Sequence, residues 1–227
     1  MKCQSVASVH LAEERIMELD ANFHDRFSWT RNKIEELTKG NLNAQIVDIG
    51  CRECPITREL PNCTWVDIES YETIVELMRT TQVLVYIRDL NTGEFTLQTV
   101  RKDTPPALIP EDKFVQGNAE NLPFSDKQFD VAVATELLEH VGDPVAVLKE
   151  IKRVARRAII TVPNEYDWAP EYRPSAASSP HVRIYTNETL KQHLEEAGIG
   201  KYKFRRLDYD GWSQFAVVTE EEGGHGA

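Results

Sequence analysis

Apolar positions along the chain recur in two ways. From residue 10 to 38, Leu11, Ile16, Leu19, Phe23, Phe27, Ile34 and Leu37 fall at roughly helical spacing among charges, which predicts helix. After the breaker "KGNLN" (39–43), short apolar runs bounded by turn-forming residues take over. Five of them predict strands: "QIVDIG" (45–50), "CTWVDIE" (63–69), a run within "KFVQGNAENLPF" (113–124), "QFDVAVAT" (128–135) and "RAIITVP" (157–163). Helical patterns lie between and after them. "PITREL" (55–60) opens with Pro55 in a first turn, and "GDPVAVLKEIKRVAR" (142–156) has Asp143 as N-cap and Pro144 behind it. "TNETLKQHLEEAG" (186–198) is capped by Thr186 and ended by Gly198. "KFRRLDY" and "SQFAVVTE" predict two closing strands.

Strands alternating with helices argue for an α/β fold around a parallel sheet. In such sheets ligands bind beyond the carboxyl ends of the strands, near the point where strand order reverses. The residues just after each strand therefore carry the functional information. One segment breaks the alternation: "TQVLVYIRDLNTGEFTLQTV" (81–100) is two β-rich runs around Asn91 and Gly93, the chemistry of a hairpin turn. The expected organisation is a helical extension (1–40), one main domain (41–219) with the hairpin inserted at 81–100, and a disordered tail (220–227).

Composition narrows the class. At 41% hydrophobic and 28% charged residues, the 227-residue chain reads as soluble and globular. Its apolar runs are far shorter than a membrane span. The opening "MKCQSVASVHLAEER" lacks the apolar core of a secretory signal. Four cysteines are too few for a disulfide scaffold, so a cytoplasmic, reduced setting is expected. The net charge of −11 disfavours broad nucleic-acid binding, which needs a basic surface.

The candidate chemistry sits after the strands. "DIGCREC" (48–54) begins like a nucleotide-binding turn but holds a single glycine, Gly50. Asp67 and Glu69 end the second strand, where a carboxylate can accept hydrogen bonds from both hydroxyls of a ribose. Gly117 suits close approach to a flat ligand, and Asn118 offers an amide to an adenine edge. In "ATELLEH", Glu136, Glu139 and His140 fall at i, i+3 and i+4, so in a helix they share one face fit for a metal or for acid–base work. A short solvated helix and ordinary turns are the competing readings of these stretches.

Together "VDIGC", "WVDIE", "GNAENLPFSDKQFDVAVATELLEHV", "LKEIKRVARRAIITVPN" and "HVRIYTNETLKQHLEEAG" resemble the class I S-adenosylmethionine-dependent methyltransferases, in the branch similar to the ubiquinone-biosynthesis enzymes. The resemblance implies a Rossmann-like, seven-stranded, mostly parallel sheet with helices on both faces and the last strand antiparallel. It implies S-adenosyl-L-methionine as cofactor. Asp48, Gly50 and Cys51 would form the loop beside its methionine part, Asp67 would take the ribose, Asn118 and Ala119 would face adenine, and Glu136 would lie near the cofactor at the mouth of the acceptor pocket. Arg52 would reach the cofactor's carboxylate. Three departures stand out. Arg52 and Cys54 replace the second and third loop glycines, Asn118 replaces an Asp, and the turn before the fifth strand shortens to "ARRA" (155–158). Non-glycine residues fit that loop where φ stays negative and the side chains turn away.

The expected reaction is methyl transfer to an O or N atom, less readily C, of a small-molecule acceptor. His140 and His181 are the candidate bases, each with a structural hydrogen bond as the alternative. Arg183 is a candidate clamp for an acidic acceptor, or a surface ion-pair partner. The loop 164–185 lines the acceptor pocket, and the hairpin acts as a lid or dimer contact. A degenerate cofactor-binding module is the alternative suggested by Arg52 and Cys54. "ELLEH" with a later His also resembles the small-RNA 3′-terminal 2′-O-methyltransferases, where such residues bind a divalent ion. The matching set here is Glu136, Glu139, His140 and His181, against which the acidity of the chain counts, and no metal is assigned. Cys51 and Cys54 have no second Cys-x-x-Cys to complete a zinc site, for which Cys63 and a distant His are the alternative, and they read as two small side chains in a tight loop.

Overall fold

The computed structural model describes residues 29–52, 57, 60–80, 83–88, 95–100, 109–168, 181–209 and 212–221. A first helix, α1, covers residues 29–38. It is followed by β1 (Ile46–Ile49), β2 (Cys63–Asp67), α2 (Tyr71–Thr80), β3 (Val83–Arg88), β4 (Phe95–Val100), β5 (Phe114–Gln116) and β6 (Phe129–Thr135). Then come α3 (Pro144–Val154), β7 (Ala155–Pro163), α4 (Asn187–Glu196), β8 (Tyr202–Tyr209) and β9 (Trp212–Thr219).

Seven strands form one sheet in the order β5-β2-β1-β6-β7-β9-β8. Pairing is parallel from β5 to β7, with Ile46 opposite both Cys63 and Val131. The last strand, β9, runs antiparallel to both β7 and β8. The order runs outward from β1 through β2 to β5 on one side and through β6 to β7 on the other. The reversal falls between β1 and β6, the place where sheets of this kind bind ligands.

Each central strand alternates its side chains between two cores. Val47, Ile49, Ala132, Ala134, Ala158, Ile160 and Val162 join Leu148 and Ile151 of α3 and Leu190 and Leu194 of α4. Ile46, Val131, Val133 and Ile159 face the other way and join Ile34 of α1 and Ile74 of α2. This is why the strands read as near-continuous apolar runs: both faces are covered.

Helix starts follow the expected chemistry. Asp143 Oδ1 accepts from Ala146 N at 2.9 Å, with Pro144 next, and Thr186 exchanges hydrogen bonds with Thr189 in a capping box. Gly198 takes φ +73° just after α4, and its N–H reaches Glu195 O at 2.8 Å. "ARRA" is not a turn: it forms the first four residues of β7, which follows α3 directly.

The segment 81–100 does carry two antiparallel strands, in register from Val83↔Val100 to Arg88↔Phe95, in a sheet of their own. The turn between them, residues 10–28 of the long helical pattern and most of "PITREL" lie outside the described residues. No helix among the described residues is long and apolar enough to cross a membrane.

Candidate active site

The loop after β1 is built on Gly50. Its φ is +73°, and its N–H donates to Val66 O at 2.8 Å. A Cβ there would stand 2.7 Å from Leu137 Cδ1, so the loops after β1 and β6 touch across the crevice and leave no room for a side chain. Arg52 departs from expectation. Its φ is +41°, in the left-handed region that costs a non-glycine residue about 1 kcal/mol or more. The expected negative φ is therefore wrong, and the reason is a hydrogen bond: Arg52 N–H donates to Asp67 Oδ2 at 2.8 Å, offsetting the strain. The Arg52 residue is exposed.

Asp67 ends β2 and is only 5% exposed. Its Oδ2 takes Arg52 N–H and its Oδ1 takes Glu69 N–H at 3.1 Å. Each oxygen retains a second lone pair, which is what a vicinal diol requires. Asp48, buried beneath the loop, accepts from Thr57 Oγ1 at 2.6 Å, and Trp65 Nε1 donates to the same hydroxyl oxygen at 3.0 Å. Burial pushes the Asp48 carboxyl up to about 7; the Thr57 hydrogen bond opposes this and the Asp67 charge adds to it. Cys51 and Cys63 are buried free thiols pushed well above their ordinary range, chiefly by burial, so both are inert packing groups.

After β5, a Cβ on Gly117 would meet Pro123 at 3.3 Å and Val66 at 3.5 Å, so the glycine lets this loop pack closely on β2. Its N–H donates to Asp67 O at 2.8 Å and ties this loop to the end of β2. Asn118 is exposed, and its Oδ1 accepts from Glu120 N at 2.9 Å. Ala119 packs against the core.

"ELLEH" is not a helix. Glu136 takes φ +54°, and residues 138–140 form a turn. The shared helical face expected for Glu136, Glu139 and His140 is thereby broken. Glu136 is tied to β7 instead: its N–H donates to Thr161 O at 2.9 Å, and its Oε1 accepts from Thr161 Oγ1 at 2.9 Å. Glu139 and His140 turn the other way. Their ligand atoms and that of His181 all lie within 4.8 Å of one another. Glu139 is fully buried, His140 Nε2 stands 3.8 Å from its Oε1, and the two imidazole rings meet edge to face with centroids 4.7 Å apart.

Among the described residues, the partners of Arg183 are backbone carbonyls of the turn after β6. Its Nη1 donates to Leu138 O at 2.5 Å and to Val141 O at 2.6 Å, and its Nη2 to Gly142 O at 3.0 Å. Val182 N–H adds a bond to Glu139 O at 2.9 Å. These contacts fasten the His181 segment to the turn after β6. Two residues outside the sequence expectations matter here. Glu165, 6% exposed, contacts His181 Nδ1 through Oε1. Thr57 holds Asp48. Glu165 lies two residues past β7, so the rule of looking just after each strand points to it.

The segment from residue 74 to 158 matches the family model for the methyltransferase domain. A demethylmenaquinone methyltransferase of Mycobacterium sp. (strain KMS) is 32% identical over 117 residues, covering 44% of this chain and 49% of that protein. The chain thus spans about half the length of the curated relatives it matches. Magnesium protoporphyrin IX methyltransferase from Synechocystis PCC 6803 with bound SAH (S-adenosylhomocysteine) is similar in structure at TM-score 0.55 and 12% identity, covering 96% of this chain and 90% of that one. A possible histamine N-methyltransferase from Thermotoga maritima is similar at TM-score 0.51 and 17% identity, covering 88% and 98%. At these identities the structures speak for the fold. With the strand order, they show that the chain has the fold of these methyltransferase structures, and its residues 74–158 match the methyltransferase domain.

Proposed function

We propose that this protein binds S-adenosyl-L-methionine at the β1–β6 crevice and transfers its methyl group to an O or N atom of a small-molecule acceptor. The observation that carries this reading is the Arg52–Asp67 bond, which closes the loop with one glycine over a nearly buried carboxylate. Gly50 keeps the crevice open to backbone contact, Asp67 would hold the ribose, and Asn118 and Ala119 would border adenine. The cofactor's sulfonium supplies an already activated methyl group. What remains for the protein is to hold the acceptor in line and to remove its proton. His140 and His181 stand together for the second task. The mycobacterial relative's name and the bound SAH of the Synechocystis enzyme support the cofactor and the transfer. A cytoplasmic location and a homodimer through the 81–100 hairpin belong to the same proposal.

Calorimetry with S-adenosylmethionine tests the binding. Saturable uptake supports the reading, and no heat at millimolar cofactor ends it. Turnover on a panel of hydroxyl and amine acceptors then separates an enzyme from a binding module.

A second reading has its own observation. Glu139, His140 and His181 converge within 4.8 Å, a carboxylate and two imidazoles that suit Zn²⁺, Mn²⁺ or Fe²⁺ better than Mg²⁺. An ion there would hold an acceptor's hydroxyls, as in 2′-O-methylation of an RNA end. Glu136, bound to Thr161, stands outside that set. Metal titration by calorimetry decides it: binding lost in His140→Ala and kept in Glu136→Gln supports a metal centre, and none in the intact protein removes it.

A further inference from the structure

The last two strands are covered differently on their two faces. Toward α3 and α4, Tyr202, Phe204, Phe215 and Val217 pack into the core. Residues opposite one another across a sheet share a face. Lys203 stands opposite Val218, and Val218 opposite Ile159, while Arg205 stands opposite Ala216. Ile159 packs with Ile34, so this is the face that α1 covers. Trp29, Lys33 and Leu37 fall at i, i+4 and i+8, one stripe of α1. Between that stripe and strands β7, β9 and β8 lies a cavity of about 410 Å³. Its floor is apolar, with Ala216 and Val218 buried. Its walls are charged: Lys33, Arg157, Lys203 and Arg205 face it together with Glu36, Glu220 and Glu221. The acids are already engaged. Glu36 contacts Lys33, Glu220 stands 4.0 Å from Lys203, and Glu221 stands 3.4 Å from Arg156, outside the lining. Among the described residues no carboxylate pairs with Arg157 or Arg205. Arg157 Nε and Trp29 Nε1 are buried and lack a hydrogen-bond partner. Both groups only donate, so only an acceptor satisfies them, and a buried donor left bare is costly. The Glu36 carboxyl is held below its ordinary value chiefly by the Lys33 hydrogen bond, and the charges of Lys203 and Arg205 add to this.

We propose that this cavity binds an amphiphilic organic anion, a carboxylate or sulfonate carried on an aromatic body. Arg157 and Arg205 supply the charge, Trp29 Nε1–H a further hydrogen bond, and Leu37, Ala216 and Val218 the apolar surface. The apolar floor disfavours inorganic phosphate and a nucleic-acid backbone, which bring no apolar body to cover it. The site is separate from the proposed cofactor crevice. Arg157 lies near the start of β7, whereas Thr161, which bonds Glu136 at the crevice, lies four residues further along the strand, a span of ~13 Å. Binding here is independent of the methyltransferase reading and stands whether or not S-adenosylmethionine binds.

The experiment titrates the full chain with anilinonaphthalene sulfonate, an aromatic anion that fluoresces in apolar surroundings, and with its neutral congener N-phenyl-1-naphthylamine. The expected result is saturable binding of one sulfonate dye per chain, with the neutral dye weaker by roughly tenfold or more. Arg157→Gln and Arg205→Gln should each weaken the sulfonate by roughly tenfold and leave the neutral dye within about threefold. Thermal melts run in parallel show that the variants are folded. Arg205 is exposed, so its variant still decides should Arg157→Gln fail to fold. Excess S-adenosylhomocysteine should not displace the dye. No saturable binding by the intact chain overturns the proposal and leaves the cavity to residues 1–28 or to a second copy of the chain. Equal affinity for both dyes, sulfonate binding unchanged in both variants, or displacement by S-adenosylhomocysteine overturns it as well.

Discussion

Arg52 donates its backbone N–H to the carboxylate of Asp67, 15 residues on and one strand away, at 2.8 Å. One bond thus joins the strained loop after β1 to the acid that ends β2. It explains how a non-glycine residue occupies a position where the resembling family carries glycine: the φ of +41° is held by a charge-assisted contact rather than by absence of a side chain.

Asp67→Ala should therefore do two things. It removes the proposed ribose acceptor and releases the Arg52 loop. Loss of hydrogen bonds to a charged group of ~1.5–3 kcal/mol each predicts weakening of S-adenosylmethionine binding by roughly 100-fold or more. Calorimetry measures it, and affinity within about threefold of wild type would remove Asp67 from the site.

Gly50→Val should abolish cofactor binding and also lower stability. Its Cβ would sit 2.7 Å from Leu137 Cδ1 at φ +73°, a steric and a backbone penalty together of ~2 kcal/mol or more. A thermal melt and a binding isotherm check the two effects, and wild-type values in both would contradict the close approach of Leu137 to Gly50.

Asp48 predicts a pH dependence. Its carboxyl is raised from 3.8 to about 7, mainly by burial. An acid raised in the folded state favours folding while it is protonated, and that contribution is lost as pH rises from about 4 through 7. Asp48→Asn should thus gain relative to wild type across that window, by at most ~4 kcal/mol, and show a constant difference outside it. Urea unfolding at pH 4, 5.5, 7 and 8.5 checks this. A difference independent of pH would mean the carboxyl titrates in its ordinary range.

Arg183→Ala should cost stability through three backbone carbonyls left without their guanidinium donors, those of Leu138, Val141 and Gly142. A loss of ~2 kcal/mol lowers Tm by ~4–8 °C in a domain of this size. Cofactor affinity should change little, since these contacts fasten the histidine segment and not the β1 loop. A drop in affinity with an unchanged melt would instead make Arg183 a ligand contact.

Removing residues 82–99 and bridging with a short linker should leave the seven-stranded sheet and cofactor binding intact, because β3 and β4 pair with each other in a separate sheet. The proposed dimer predicts a fall to monomer mass by light scattering. An unchanged mass would reject the hairpin as the dimer contact.

The residues themselves determined much of this. Apolar runs of strand length, alternating with capped helices, specify a sheet buried on both faces, because a strand covered on both sides has no polar position to spare. Asp143, Pro144, Thr186 and Gly198 mark their helix ends locally, through bonds within a few residues, so the sequence carries them whole. Gly50 and Asp67 were legible as residues placed just beyond strands.

What the tertiary structure alone decided depends on contacts far apart in the chain. Helical spacing put Glu136, Glu139 and His140 on one face, but a bond to Thr161, 25 residues away, holds Glu136 in the left-handed region and breaks the helix there. Arg183 looked like a ligand clamp because a guanidinium's partner is not written beside it; the carbonyls it takes lie more than 40 residues back. Glu165 meets His181 from 16 residues away, with Asn164 and Trp168, on either side of the short helix Glu165–Asp167, bonded to Ser213 on the last strand. Local periodicity records which face of an element is apolar. Which polar side chains meet across loops is set by how the sheet brings its strand ends together, and no spacing in the sequence encodes that.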